Sequence, residues 1–272
     1  MSIAQKVIKY LAFSFDIFLM ITIASAIVTA GYGLLKATGL IDNTVKSSIT
    51  YHSIYDSYLD INIKYANLKV VSGDTLKVEN NNDKIYISQE SNKLIIEDSS
   101  NIFTKNKDIE VVVYIPNIKF DIVSINTGYG KLKVDGLTTK KLKLNLGAGS
   151  AKLKNIITDN TDVSTGTGSV SINKSILNNA KLDLGIGSIN IDANITGESH
   201  INCGIGSVNL NLTGTEYDYT IDVEKGIGSI NLDGHKVEKG SNFISGGGPN
   251  YIKIEGGIGS INVNTKDSLE IR

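Results

Sequence analysis

Three histidines, one cysteine and a recurring Gly-x-Gly phrase are where chemistry can be sought in this chain of 272 residues. His52, His200 and His235 lie far apart in sequence, without the close spacing that folds neighbouring side chains around one metal ion. Cys203 is the single cysteine, so no disulfide can form within the chain. It falls on an inward position of an alternating apolar run. There a thiol acts as a small buried apolar group rather than as a nucleophile. Gly-x-Gly also opens phosphate-binding loops, but those need a helix after the glycines and occur once. Here a strand pattern follows, in seven copies. No nucleophile elbow, catalytic triad signature or calcium-binding nonapeptide is present. The expectation is therefore no catalytic residue, no metal site and no cofactor.

The glycine phrase organises the chain. Its copies are Gly128 and Gly130; Gly147, Gly149 and Ser150; Gly166, Gly168 and Ser169; Gly185, Gly187 and Ser188; Gly204, Gly206 and Ser207; Gly226, Gly228 and Ser229; Gly257, Gly259 and Ser260. The first five start 19 residues apart, and the last two steps widen to 22 and 31. A fixed period near twenty marks a solenoid, in which equivalent positions stack. Around each phrase apolar residues alternate, as at Leu182, Leu184 and Ile186 and then Ile189 and Ile191. Alternation means a strand with one buried face. The parity changes across the Gly-Ser pair, and a corner at that point keeps both faces inward. Glycine accepts the backbone angles such a corner needs. On this reading the middle residue of each phrase points inward: Tyr129, Ala148, Thr167, Ile186, Ile205, Ile227 and Ile258.

The fold class expected is all-β: a parallel β-solenoid of 19-residue coils with an N-terminal β-meander cap, preceded by one transmembrane α-helix. An antiparallel meander or sandwich also uses short alternating strands, but does not require one motif every 19 residues. Residues 1–36 form the expected anchor, because Ile17 to Leu35 is a run of 19 residues without a charge, long enough to span a bilayer. The membrane contact is assigned to residues 10–35. A cleaved signal peptide is the competing reading, with Ala24-Ser25-Ala26 as its cleavage site. Residues 37–57 read as a stalk and 58–272 as the solenoid domain. Within it, 58–116 are a capping coil and meander, and 117–272 the glycine coils. In the capping coil Ala66-Asn67 takes the corner that Gly-Ser holds elsewhere. The wide steps, at 213–222 and 234–250, read as loops projecting from the stack.

One surface pattern repeats. After each corner the outward positions carry amides or acids: Asn190 and Asp192, Asn209 and Asn211, Asn231 and Asp233, Asn262 and Asn264. Stacked asparagines hydrogen-bond to one another, so the stripe has a structural use. A binding surface for a glycan or envelope polymer is the functional alternative. The composition does not suit a nucleic-acid partner. Net charge is −1, Arg272 is the one arginine and there is no tryptophan, whereas nucleic-acid readers lean on arginine and aromatic stacking.

The Gly-Ile-Gly-Ser coils, with the line Ala66-Asn67-Leu68-Lys69-Val70, resemble the bacterial putative-adhesin family of β-strand-repeat proteins from about residue 59 to 265. The resemblance implies a one-pass membrane protein of a low-GC Gram-positive envelope, in some members beside envelope-stress genes. It supplies no catalytic residues. Residues and resemblance together lead to a non-enzymatic, membrane-anchored protein, single-pass, with its C-terminal domain extracytoplasmic, acting in adhesion or scaffolding. Its partner would be an envelope polymer or a membrane protein. The alternative is envelope-stress sensing, or regulation of a membrane signalling protein through the 1–36 segment. A polysaccharide-active enzyme is the third class, and it lacks the expected cluster of acidic and basic groups.

Overall fold

Alternating apolar residues become strands here because each coil covers the inward face of the next. The computed structural model describes residues 47–51, 58–82, 84–90, 92–99, 109–237 and 242–266. The expected anchor at 1–36 lies outside them. Among the described residues no helix is long and apolar enough to cross a membrane. In chain order the strands are β1 (Ser47–Tyr51), β2 (Tyr58–Tyr65), β3 (Asn67–Ser72), β4 (Leu76–Asn80), β5 (Ile85–Glu90), β6 (Lys93–Asp98), β7 (Glu110–Ile115), β8 (Lys119–Asn178), β9 (Ala180–Thr196), β10 (Glu198–Thr213), β11 (Tyr219–Leu232), β12 (His235–Lys236), β13 (Asn242–Gly246) and β14 (Asn250–Lys266). They join in one fourteen-stranded sheet.

The stacking is parallel and in register. Thr161 faces Ala180, and Lys181 faces His200, nineteen positions on in each case. Strand β8 runs unbroken through three coils because the chain rounds its corners without losing ladder pairing. One coil buries Leu142, Leu144 and Leu146, then Ala151 and Leu153, then Ile156 and Thr158. Each change of parity between these runs is a corner, so this coil has three sides. Only the glycine corner is announced by a repeated phrase. Several of the others fall at single residues with positive φ, such as Asn155 (54°), Lys174 (51°) and Asn179 (47°). Buried hydroxyls satisfy the backbone beside them. The Thr158 hydroxyl donates to the Asn160 carbonyl at 2.7 Å, and the Ile156 N–H donates to Ser175 Oγ at 3.1 Å.

Two features depart from the order expected. First, the coils do not stack in chain order at the C-terminal end. β14 lies between β10 and β11, parallel to both: Ile205 faces Ile258, and Ile258 faces Ile227. The wide glycine steps follow from this, since β11 must leave an empty slot and β14 must return to fill it. The segments expected to be loops become a short 3-10 turn at Glu216–Asp218 and strands β12 and β13, which pair antiparallel with the outer edge of β11. An exposed edge invites further pairing, and these strands cover much of it. Lys253 on β14 ties the exchanged coils together, with Glu224 of β11 at 3.3 Å and Glu255 at 2.7 Å. The two carboxylates hold its ammonium well above the usual lysine range.

Second, the N-terminal cap is not a meander. The capping coil, β2 and β3, stacks on the first coil of β8, with Tyr65 facing Tyr129 and Leu68 facing Leu132. On its other side β6 and β7 lie parallel to β2 and β3 and extend the stack. Antiparallel strands come only beyond them: β5 on β6, β4 on β7, and β1 on β4. β4 and β5 are neighbours in sequence but end on different sides. β1 lies inside the segment expected to be a stalk.

Candidate functional site

Each glycine corner is an outward arch of four residues. In the first five, the last inward side chain before it is Thr127, Leu146, Thr165, Leu184 or Cys203, and the next inward one is Leu132, Ala151, Val170, Ile189 or Val208; in the last two, half-buried Lys225 and Gly256 hold the first position and Ile230 and Ile261 the second. The middle residue therefore points out, contrary to the sequence expectation. Tyr129 is 66% exposed, Ile186 50%, Ile205 47%, Ile258 50% and Ile227 72%; Thr167 is exposed and Ala148 half-buried. The parity argument placed the slip across two residues, whereas the arch takes four.

The reason for two glycines per arch is contact between coils. The second glycine has φ between 141° and 147° in all seven copies, a region that side chains disfavour. A Cβ on Gly206 would lie 1.7 Å from the carbonyl oxygen of Gly187, and one on Gly259 would lie 1.6 Å from that of Gly206. The first glycines are crowded as well, with a Cβ on Gly204 2.6 Å from the Gly185 oxygen. In the capping coil Lys64 and Ala66 occupy these positions without positive φ. There the N–H groups of Lys64 and Tyr65 donate to Asp98 Oδ2, at 3.2 Å each.

The stripe after the corner exists, in the stacking order of the coils. Asn209 donates to Asn190 at 2.8 Å, Asn262 to Asn209 at 2.7 Å and Asn231 to Asn262 at 2.7 Å. Beside this ladder Asn264 donates to Asn211 at 3.2 Å, and Asp192 faces Asn211. Asp233 leaves the stripe. It sits in a turn with φ 46° and accepts the Thr265 N–H at 2.6 Å.

A second row, before the corner, was not singled out in the sequence. It is legible there as the residue two places ahead of each first glycine. Pairing sets Tyr86 against Glu97, Glu97 against Asn62, and Asn62 against Asn126. Asn126 donates to Asn62 at 2.6 Å and Asn145 to Asn126 at 2.7 Å. Along this row runs a groove of about 790 Å³, bounded by Gly128 and Gly147 of the arches, by Ser164 and by the β5–β6 hairpin. What legibly marks the row is the nineteen-residue step. What hides the groove is Tyr86, which no repeat contains.

The chemistry on offer is hydrogen bonding. An asparagine in a ladder keeps one N–H and one lone pair for a ligand. Among the described residues no three of His, Cys, Asp and Glu come together as a metal site. His200 and His235 are exposed and apart. Cys203 is buried, and burial pushes its thiol pKa up.

The model of the Toastrack DUF4097 family matches residues 49–243. This chain belongs to that family. Toastrack is an apt description of parallel coils held in a rack, and it agrees with the resemblance carried by the glycine coils. Among solved structures, a putative cell adhesion protein from Clostridium sporogenes aligns with a TM-score of 0.38 and 18% identity, covering 81% of this chain and 99% of that one. A putative adhesin from Parabacteroides merdae aligns at 0.38 and 13%, covering 81% and 95%. One from Bacteroides fragilis aligns at 0.34 and 11%, covering 80% and 96%. At these identities and scores the likeness does not extend to function. No curated protein matches the chain.

Proposed function

We propose that this Toastrack chain is a non-enzymatic binding protein of the cell envelope, acting in adhesion or scaffolding. Residues 10–35 hold it in the membrane as a single-pass anchor, and the solenoid lies outside the cytoplasm. The observation that supports this most is the repetition of outward side chains at one strand spacing, about 4.8 Å, along a stack of paired coils. Such a surface meets a repeating polymer, or a broad partner, through many weak contacts whose sum is strong. The uncharged run from Ile17 to Leu35 supports the anchor.

Two measurements test the reading. Protease added to intact cells is expected to remove the solenoid domain. Full protection, in cells shown to be permeable only after lysis, overturns the orientation. The full-length chain is also expected to sediment with isolated envelopes after the membrane is removed by detergent. Failure to sediment overturns the binding role.

A further inference from the structure

The groove at the N-terminal end combines an amide ladder with an exposed aromatic ring, and the two narrow its ligand. This step rests on the envelope-binding reading above. The floor is a ladder of side-chain amides, Asn62, Asn126 and Asn145, joined at 2.6 and 2.7 Å. Those hydrogen bonds fix the amide planes. They leave a row of donors and acceptors facing the groove. Tyr86 stands at one end and is 57% exposed, so the core does not need its ring. From Tyr86 to Asn145 is four strand steps, on the order of 19 Å. The volume of about 790 Å³ lies in the range of small-molecule sites.

Three classes of occupant compete. A peptide strand binds by pairing with a free sheet edge, but the floor strands are interior. β2 has β6 on one side and β8 on the other, and its ladder is filled. An acidic polymer needs a surplus of positive charge. The groove offers one cation, Lys64, against the carboxylates of Glu97 and Asp98, and its amide ladder is neutral. A sugar chain needs neither an edge nor charge. It presents hydroxyl pairs to planar amides, and an apolar C–H face to an aromatic ring.

We propose that the groove beside the first three corners binds an uncharged glycan chain, with Tyr86 stacked on a sugar face and the Asn62–Asn126–Asn145 ladder hydrogen-bonded to its hydroxyl or acetamido groups. The chain of sugars runs along the stack, passing Glu97 between Tyr86 and Asn62, and ends beyond Ser164, where Asp183 follows in the row.

The test uses the full-length chain in a detergent without a sugar headgroup, with calorimetric titration of three hexamers: β-1,4-linked N-acetylglucosamine, β-1,4-linked glucose and α-1,4-linked galacturonate. At least one neutral hexamer is expected to bind, and the acidic one more weakly. Tyr86→Ala and Asn145→Ala are each expected to weaken binding at least tenfold. Tyr86→Phe, which keeps the ring, and Asn209→Ala, in the other ladder, are expected to leave it within twofold. Thermal melts matching the parent show that the variants fold. If the chain sediments with envelopes but no neutral hexamer binds, the glycan proposal fails and the envelope reading stands. If neither occurs, both fail. Binding unchanged in Tyr86→Ala, or tighter for the acidic hexamer, also overturns the proposal.

Discussion

Gly206→Ala should unravel the rack, and the size of the effect can be worked from its surroundings. The new Cβ would sit 1.7 Å from the Gly187 carbonyl oxygen and 2.7 Å from its carbon. Both are backbone atoms, so no side chain can swing aside. The φ of +143° adds strain of about 1–3 kcal/mol for a residue with a side chain. Forcing the coils apart adds overpacking of about 1–3 kcal/mol. The sum is roughly 2–6 kcal/mol, enough to threaten a domain of ordinary stability. Gly247→Ala is the control, because no atom lies within 4 Å of its Cβ position and its φ is not in the strained range. That change should stay within about 0.5 kcal/mol or stabilise slightly. Gly166→Ala should fall between them, with a 2.7 Å approach and no positive φ. The assay is urea unfolding of the full-length chain in detergent, followed by the β-sheet circular dichroism signal. If Gly206→Ala unfolds within 1 kcal/mol of Gly247→Ala, the inter-coil contact argument is refuted.

Leu184→Ala should cost about 2–5 kcal/mol, as for a buried leucine, whereas Ile186→Ala, two residues on but outward, should cost less than about 1 kcal/mol; equal costs in the same urea titration would contradict the outward arch. Cys203 should resist maleimide in native buffer at pH 8 and react within minutes once urea unfolds the chain, since it is buried and its thiol pKa is raised; prompt native labelling would contradict its placement. The Thr215 N–H and hydroxyl donate to Asp218 Oδ2 at 2.7 and 3.0 Å and pull its pKa below the ordinary 3.8. Its folded value is thus below its unfolded one, so its stabilisation is present above the ordinary carboxylate range and fades as pH falls through the folded value. Asp218→Asn should therefore lower the melting temperature at pH 7 and lose that effect near pH 2; an equal deficit at both would contradict the assignment. Ending the chain at residue 249 should leave β11 without its parallel neighbour and make residues 219–246 sensitive to trypsin, with continued resistance as the contrary result.

The rack itself was legible because its cause is local and repeated. The nineteen-residue step, the parity change and the glycines state the same geometry, and the pairing of Gly187 with Gly206 realises it. The outward direction of Ile186 and Ile205 was not legible. An apolar residue in an alternating run looks inward until the arch is known to take four residues. Nor was the place of β14. Its phrase is identical to those of β10 and β11, so each order of stacking satisfies the same pattern. The asparagine ladder runs through Asn190, Asn209, Asn262 and Asn231 in the stacking order and not in chain order, and Asp233, expected in the stripe, turns out of it. The groove needs Tyr86 from a hairpin without a repeat, and only the pairing of Tyr86 with Glu97 brings it to the row.

The position of β14 bears on how the protein is made. Among the described coils β14 leaves the ribosome after β11 but lies inside it in the pile, so winding cannot simply follow synthesis there. β11 emerges before its permanent neighbour does. β11 must either wait or rest against β10, whose register it matches, and then be displaced. The finishing step is thus a strand sliding into a gap between two others, with pairing on both sides at once.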